Sequence, residues 1–394
     1  MNKTLGLYLH IPFCISKCAY CDFYSITDDS QMQRYADALI LHMEDYSGAA
    51  KNYYVDTLYM GGGTPTSMPK KMILDIIDGI YSNFNVLETA EFTIECNPAT
   101  ADRSLPSALY KAGVNRLSIG VQSACDNELR NLTRIHTFEE AVETYEAARK
   151  AKFDNINIDL MYSIPEQTER SLAMSLQSIV ELEPEHISLY GLKIEPNTPF
   201  AESADRLALP DEDTEYRMYE QAVRFLESHG YRHYEISNFA KPGKECLHNL
   251  RYWNCEEYLG LGPSAHSYFG GRRFSFKRDI ESYIDALENC GSDVEIIDEN
   301  YEIPPAERLG EYVMLQLRLA DGIDTVEFER RFGISFERLY GKFLKVYIEN
   351  GFMQKRGTRY CLTLKGMYVS NYILSTMLDF DEQAYGSIST GLDK

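Results

Sequence analysis

The sequence predicts an α/β protein: a partial (β/α)6 barrel followed by a small winged-helix-like α+β domain. Three observations carry that expectation. Six short apolar runs alternate with helical patterns over roughly the first 200 residues, which implies parallel strands joined by helical crossovers. Distinctive glycines and polar residues fall at the C-terminal ends of those runs, where barrel proteins build their sites. Residues 304–378 read as three helices and a hairpin, the order of a winged helix. A doubly wound sheet is the alternative arrangement of the same alternating units.

The strand runs are LGLYLHI (5–11), DTLYMGGG (56–63), EFTIECNP (91–98), NRLSIGVQ (115–122), NINIDLMYS (155–163) and EHISLYGL (185–192). Each is almost continuously apolar, as expected of strands covered on both faces. Between them lie the helical patterns QMQRYADALILHMEDY, KKMILDIIDGIYSNF, SLPSALYKAGV and TFEEAVETYEAARKA. Gly113 is a helix stop in the third. Thr137 and Glu140 form a capping box at the start of the fourth.

Residues 1–200 are thus the barrel core, and 201–290 complete it, starting with an acidic helix between Pro210 and Gly230. Residues 291–303, with Gly291 before the Pro304-Pro305 pair, read as a linker. In 304–378, RLGEYVMLQLRLADG, DTVEFERRFG and SFERLYGKFLKVYIENG are helical, and GFMQKRGTRYCLTLKG turns at Gly357. Residues 379–394 read as a frayed tail.

Composition bounds the function. Of 394 residues, 44% are hydrophobic and 25% charged, which fits a globular protein and excludes global disorder. No apolar run approaches the ~18 residues of a membrane span, and no signal peptide opens the chain; a soluble, cytoplasmic protein is expected. The formal charge of −21 argues against bulk nucleic-acid binding. Locally, residues 330–365 hold nine Lys and Arg against two acids, a surplus of +7 suited to an anionic membrane surface or an acidic partner.

Nine cysteines in a large soluble chain argue for metal chemistry rather than disulfides, provided the spacing supports it. Three of them, Cys14, Cys18 and Cys21, fall within LHIPFCISKCAYCDFYS. Such clustered thiolates suit zinc or an iron–sulfur cluster. Structural zinc wants a fourth ligand, which only His10 would supply, since no second CxxC-like pair exists. A [4Fe–4S] cluster on three cysteines keeps one iron open for a ligand. The other six cysteines read as small buried apolar residues.

The glycines of GGGTP (61–65) let backbone approach a ligand closely. Glu95, Gln122 and Asp159 sit at strand ends, and Arg134 follows one, each suited to a polar ligand.

Together, CxxxCxxC and these strand-end residues resemble the radical S-adenosylmethionine (SAM) superfamily. LYLHIPFCISKCAYCDF is similar to the oxygen-independent coproporphyrinogen oxidase-like family, over about residues 5–370. The resemblance implies a radical SAM barrel with a [4Fe–4S] cluster on Cys14, Cys18 and Cys21. It places SAM against Tyr8, Tyr20, Gly62, Gly63, Thr64, Glu95, Gln122, Arg134 and Asp159, and implies reductive SAM cleavage fed by an electron donor.

HNLRYW, from His248 to Trp253, resembles the haem-binding signature of the HemW-type haem chaperones, a branch of this family. That implies haem at His248, Asn249, Tyr252 and Trp253, with His266 in GLGPSAHSYFGG as a secondary haem or structural candidate. It also implies transfer of haem to an acceptor protein. Two departures from the oxidases point the same way. Phe23 stands where their motif continues with a further cysteine, and only 13 residues precede Cys14, too few for their N-terminal arm. The alternative is a catalytic radical SAM enzyme acting on a tetrapyrrole.

Overall fold

A computed structural model describes residues 3–100, 104–290 and 294–378. The six apolar runs are strands: β1 (Lys3–Ile11), β2 (Tyr53–Gly62), β3 (Val86–Cys96), β4 (Arg116–Gln122), β5 (Ile156–Tyr162) and β6 (His186–Gly191). Helices α1 (Met32–Ala50), α2 (Lys70–Asn83), α3 (Leu105–Lys111), α4 (Asp126–Asn131), α5 (Phe138–Lys150) and α6 (Glu169–Glu181) connect them. The capping box at Thr137 and Glu140 opens α5, and Gly113 lies in the left-handed region at φ +96° after α3.

Strands β1 to β6 are parallel and lie side by side in chain order. A doubly wound sheet would reverse direction at a switch point; an unbroken order is the wall of a partial barrel. One face of each strand is apolar, as in Leu5, Leu7, Leu9 and Ile11 of β1, all fully buried. The other face is buried but polar: Thr57, Thr93, Ser118, Asn157 and Ser188 lie there. Their hydroxyls and amide bond to one another and to neighbouring groups, as burial of polar atoms requires.

Beyond β6 come α7 (Pro199–Glu202) and the acidic helix α8 (Glu212–Ser228). Asp211, one residue past Pro210, caps α8 by accepting from the Thr214 N–H. Then follow β7 (Arg232–Glu235), β8 (Asn238–Ala240), α9 (Leu247–Trp253), β9 (Tyr258–Leu261), β10 (His266–Phe269), β11 (Arg272–Phe276) and α10 (Ile280–Cys290). These strands extend both edges of the barrel wall into one twelve-stranded sheet. β8 and β7 join β6; β9 pairs parallel with β1, and β10 and β11 follow antiparallel.

The expected linker contains more order than a linker. Residues 291–293 lie outside the described residues, but Ile297–Glu302 is strand β12, paired with β11 from Phe276↔Ile297 to Arg272↔Glu302. Its three acids, Asp298, Glu299 and Glu302, masked it as a loop, although an exposed edge strand tolerates charge.

The C-terminal unit has the expected order. It comprises α11 (Pro305–Gln316), β13 (Ile323–Asp324), α12 (Thr325–Phe332), α13 (Phe336–Glu349), β14 (Met353–Arg356) and β15 (Arg359–Leu362). Its small sheet runs β13-β15-β14, and Gly333 and Gly357 take the positive φ that the helix end and the hairpin turn require. Two further helices, α14 (Leu364–Tyr368) and α15 (Ser370–Leu378), fold back on it; the expected tail, 379–394, lies outside the described residues. Ile236 N–H donates to Arg318 O and Ala320 N–H to Tyr234 O, stitching this unit to β7. One contiguous apolar core runs from Leu5 to Met377. No described helix is long and apolar enough to cross a membrane.

Candidate functional site

The cysteine loop leaves β1 and is tied down at both ends. Cys14 N–H donates to Ile26 O (2.9 Å) and Ile26 N–H to Pro12 O (2.7 Å). The glycine turn after β2 clasps the same loop: Gly63 N–H donates to Ile11 O and Thr64 N–H to Phe13 O, both at 2.7 Å. A Cβ on Gly63 would lie 2.7 Å from each of those carbonyl oxygens, and one on Gly62 would meet the His10 ring. Gly62 also needs its φ of +107°. The glycines of GGGTP are therefore required for the fit of one loop on the other.

Cys14, Cys18 and Cys21 are half-buried, unpaired thiols on one wall of a cavity of about 350 Å³. Tyr20, Gly62, Gly63, Thr64, Glu95, Gln122, Arg134 and Asp159 line the rest. Eight of the nine residues expected around SAM thus share one cavity with the three cysteines. The ninth, Tyr8, lies behind it, its hydroxyl bonded to His10 Nδ1 at 3.0 Å. Sequence reasoning missed Tyr59, Ser118 and Tyr190, which also line the cavity. Tyr59 alternates with Gly61 along β2, and that period-2 pattern was the available signal.

The donor set separates the two metal readings. His10 has both ring nitrogens engaged, Nδ1 with Tyr8 and Nε2 with the Tyr24 carbonyl at 2.8 Å. It does not complete a Cys3His zinc site. Among the described residues no three His, Cys, Asp or Glu side chains converge on one point. The three thiols line the same cavity, with no described histidine beside them to complete a zinc site.

Around that space the charges are specific. Arg134 Nη1 donates to Cys18 Sγ (3.4 Å) and Nη2 to Gly120 O (2.9 Å), while its buried Nε has no partner. Glu95 accepts from the Tyr59 hydroxyl (2.8 Å) and the Gly62 N–H (3.1 Å), and burial pushes its carboxyl up to about 7. Asp159 accepts from Ser118 (3.2 Å) and Asn157 (2.8 Å), and burial also raises it. Gln122 ends β4 at φ +69°, a left-handed turn at the cavity wall. The cavity therefore offers thiols and a guanidinium on one side and two acceptors on the other.

HNLRYW forms α9, at the opposite end of the strands. The Glu91 carboxylate accepts from the N–H groups of Leu247 (3.2 Å) and His248 (3.1 Å) and so caps the helix. His248 is fully buried, with Nδ1 on the Thr57 hydroxyl (3.0 Å) and Nε2 on the Tyr252 hydroxyl (2.7 Å). Burial lowers its imidazole to about 3, so the ring is neutral. Thr57 lies five residues before Gly62, toward the N-terminal end of β2, so His248 is not in the cluster cavity. Trp253 packs under the Arg318 guanidinium, 4.7 Å from its ring centroid, and Asn249 is half-buried. Tyr252 and His266 share a second cavity of about 260 Å³.

A partial barrel whose strand ends gather a three-cysteine loop, a glycine clasp and two buried carboxylates is the architecture of a radical SAM protein. The model of the Radical SAM superfamily matches residues 8–179, and that of the HemN C-terminal domain matches 303–369. The chain is 35% identical to the heme chaperone HemW of Bacillus subtilis over 94% of this chain and 98% of the relative. It is 31% identical to the heme chaperone HemW of Escherichia coli, over 95% and 98%. The chain belongs to the family of these proteins.

Its fold is that of coproporphyrinogen III oxidase (HemN) from Escherichia coli, a radical SAM enzyme. The TM-score is 0.84 at 24% identity, over 96% of this chain and 91% of that one. As a radical SAM protein it takes a [4Fe–4S] cluster and SAM. The residues present fit both: three unpaired thiols, an orphaned buried guanidinium N–H, and a glycine cradle that a Cβ would fill.

Proposed function

We propose that this protein is a haem chaperone that binds a [4Fe–4S] cluster, SAM and haem and delivers the haem to an acceptor protein. The observation that carries this reading is the end-to-end match to heme chaperones at up to 35% identity. Cys14, Cys18 and Cys21 hold the cluster. Gly62, Gly63 and Thr64 offer backbone and hydroxyl groups to the methionyl part of SAM. Arg134 meets its carboxylate, Glu95 and Asp159 accept from its amino and ribose groups, and Gln122, Tyr8 and Tyr20 complete the surround. When bound, the cluster supplies the electron for reductive SAM cleavage.

Phe23 supports the chaperone over the oxidase reading. It occupies the position of the oxidases' extra cysteine and is 70% exposed at the cavity rim. The intact constellation around the cavity keeps catalysis on a tetrapyrrole as the second reading. An electron donor and an acceptor are the expected partners. Arg338, Lys342 and Arg356, which form no ion pair among the described residues, present the positive charge for an acidic partner or an anionic membrane surface.

The test uses anaerobically reconstituted protein with reductant, SAM and either haem or coproporphyrinogen III. Stoichiometric haem retention without tetrapyrrole turnover supports the chaperone; conversion of coproporphyrinogen to protoporphyrinogen overturns it. A Cys18→Ala variant loses the cluster's absorbance.

A further inference from the structure

We infer that His186 and Tyr234 are positioning residues for Asp159: they lock the Asn157 amide so that its N–H, and not its carbonyl, meets the Asp159 carboxylate. This rests on the SAM reading of the cavity above, in which Asp159 is an acceptor.

Strand register builds the network. Ser118 on β4 pairs with Asn157 on β5, and Asn157 and Asp159 pair with His186 and Ser188 on β6. Residues spaced by two share a face, so these side chains meet inside the barrel. Ser118 and Asp159 line the cluster cavity, while Asn157, His186 and Ser188 are buried behind them.

The direction of every bond follows from one that cannot reverse. The Cys246 N–H, at the cap of α9, donates to the Tyr234 hydroxyl oxygen (3.3 Å). Tyr234 then turns its own proton to His186 Nε2 (2.8 Å). Burial pushes the His186 imidazole well below its ordinary range, so the ring is neutral and carries one N–H. With Nε2 accepting, that proton sits on Nδ1. It donates to Asn157 Oδ1 (2.6 Å), which also accepts from the Ser188 hydroxyl (3.1 Å). The amide is thereby fixed. Asn157 Nδ2 donates to Ser118 Oγ (2.7 Å) and to Asp159 Oδ1 (2.8 Å), and Ser118 donates onward to Asp159 Oδ2 (3.2 Å).

Satisfying buried polar atoms would need no particular direction. This chain has one, and it ends on the single carboxylate among its members. A flipped amide would set Asn157 Oδ1 against Asp159 Oδ1, acceptor against acceptor. As built, the aligned donors polarise one another toward Asp159 and hold its oxygens in place. The bonds from Asn157 and Ser118 also oppose the rise that burial imposes on its carboxyl.

Anaerobic calorimetric titration of SAM into the full-length, cluster-loaded protein tests the assignment. Asp159→Asn should weaken SAM binding and sets the reference. His186→Ala should weaken it about tenfold, the worth of one hydrogen bond to a charged group. His186→Asn puts an amide N–H near the place of Nδ1 and should recover most of the affinity. In the Asp159→Asn background, His186→Ala should change SAM affinity by less than about twofold, because its route is gone. A purely structural role would cost the same in both backgrounds. Tyr234→Phe keeps the ring, releases the His186 tautomer and should weaken SAM several-fold, again only with Asp159 present; it decides the matter if His186→Ala does not fold. If Asp159→Asn weakens SAM while Tyr234→Phe and His186→Ala bind it as wild type does, or if the losses add in the double variants, the inference falls and the SAM reading stands. If Asp159→Asn binds SAM as wild type does, both fall.

Discussion

Gly63 has no room for a side chain. A Cβ there would press against two carbonyl oxygens that already accept the hydrogen bonds joining the glycine turn to the cysteine loop. Gly63→Ala should cost about 1–3 kcal/mol of stability and reduce cluster retention, read by urea unfolding and by iron content after reconstitution. Glu95 makes the site pH-sensitive. Its folded carboxyl titrates near 7, above its unfolded value, so it contributes stability to the cofactor-free protein at low pH, lost as pH rises through 7. SAM, a sulfonium cation, favours the ionised form. SAM affinity should therefore tighten about tenfold between pH 6 and pH 8, and the slope should vanish in Glu95→Gln. Calorimetric titration across that range checks both.

At the scale of elements, α9 plugs the barrel end opposite the cysteine loop, and Glu91 fastens it. The carboxylate holds two backbone N–H groups of the helix and lies near the buried Arg116, whose charge it compensates. Glu91→Ala should destabilise by about 2–5 kcal/mol, since it removes charged hydrogen bonds and strands a buried cation; the urea midpoint reports it. The role of α9 was not legible in the sequence. Thr57 and Glu91, which engage His248, lie 191 and 157 residues away in the chain, and no local pattern announces such contacts. HNLRYW resembles a ligand motif in the sequence, and only the fold shows that it also packs against β2 and β3. The strand ends were legible for the opposite reason. Apolar run, then glycine or carboxylate, is a local pattern, and the parallel order gathers such ends on one rim. The inner strand faces were misread as apolar because Thr57, Ser118 and Asn157 sit among Val, Leu and Ile and only pairing shows which way they point.

Across the whole molecule the charge is less divided than the sequence suggests. Residues 330–365 carry +7, but Asp324, Glu327 and Glu329 just upstream cut the surplus to +4 over 324–365. Arg330 and Arg331 both bond to Glu327; such exposed pairs contribute little stability but do mask charge. Partner binding through the remaining cations should weaken with salt, and Arg338→Glu with Lys342→Glu should weaken it further, by pull-down at two ionic strengths. The C-terminal unit shares the barrel's apolar core and extends β7 through backbone bonds at Arg318 and Ala320. A single calorimetric unfolding transition is expected; two resolved transitions would show independent units.

The parallel pairing of β9 with β1 has a consequence for synthesis on the ribosome. Gly6 to Leu9 meet Tyr258 to Leu261, about 250 residues later. At 5–20 residues per second, the outer edge of β1 waits roughly 12–50 s for its partner to emerge. Throughout that interval the nascent chain carries an open strand edge beside three cysteine thiols. Delivery of iron and sulfide to the loop, and protection of that edge from aggregation, are thus set against the pace of translation.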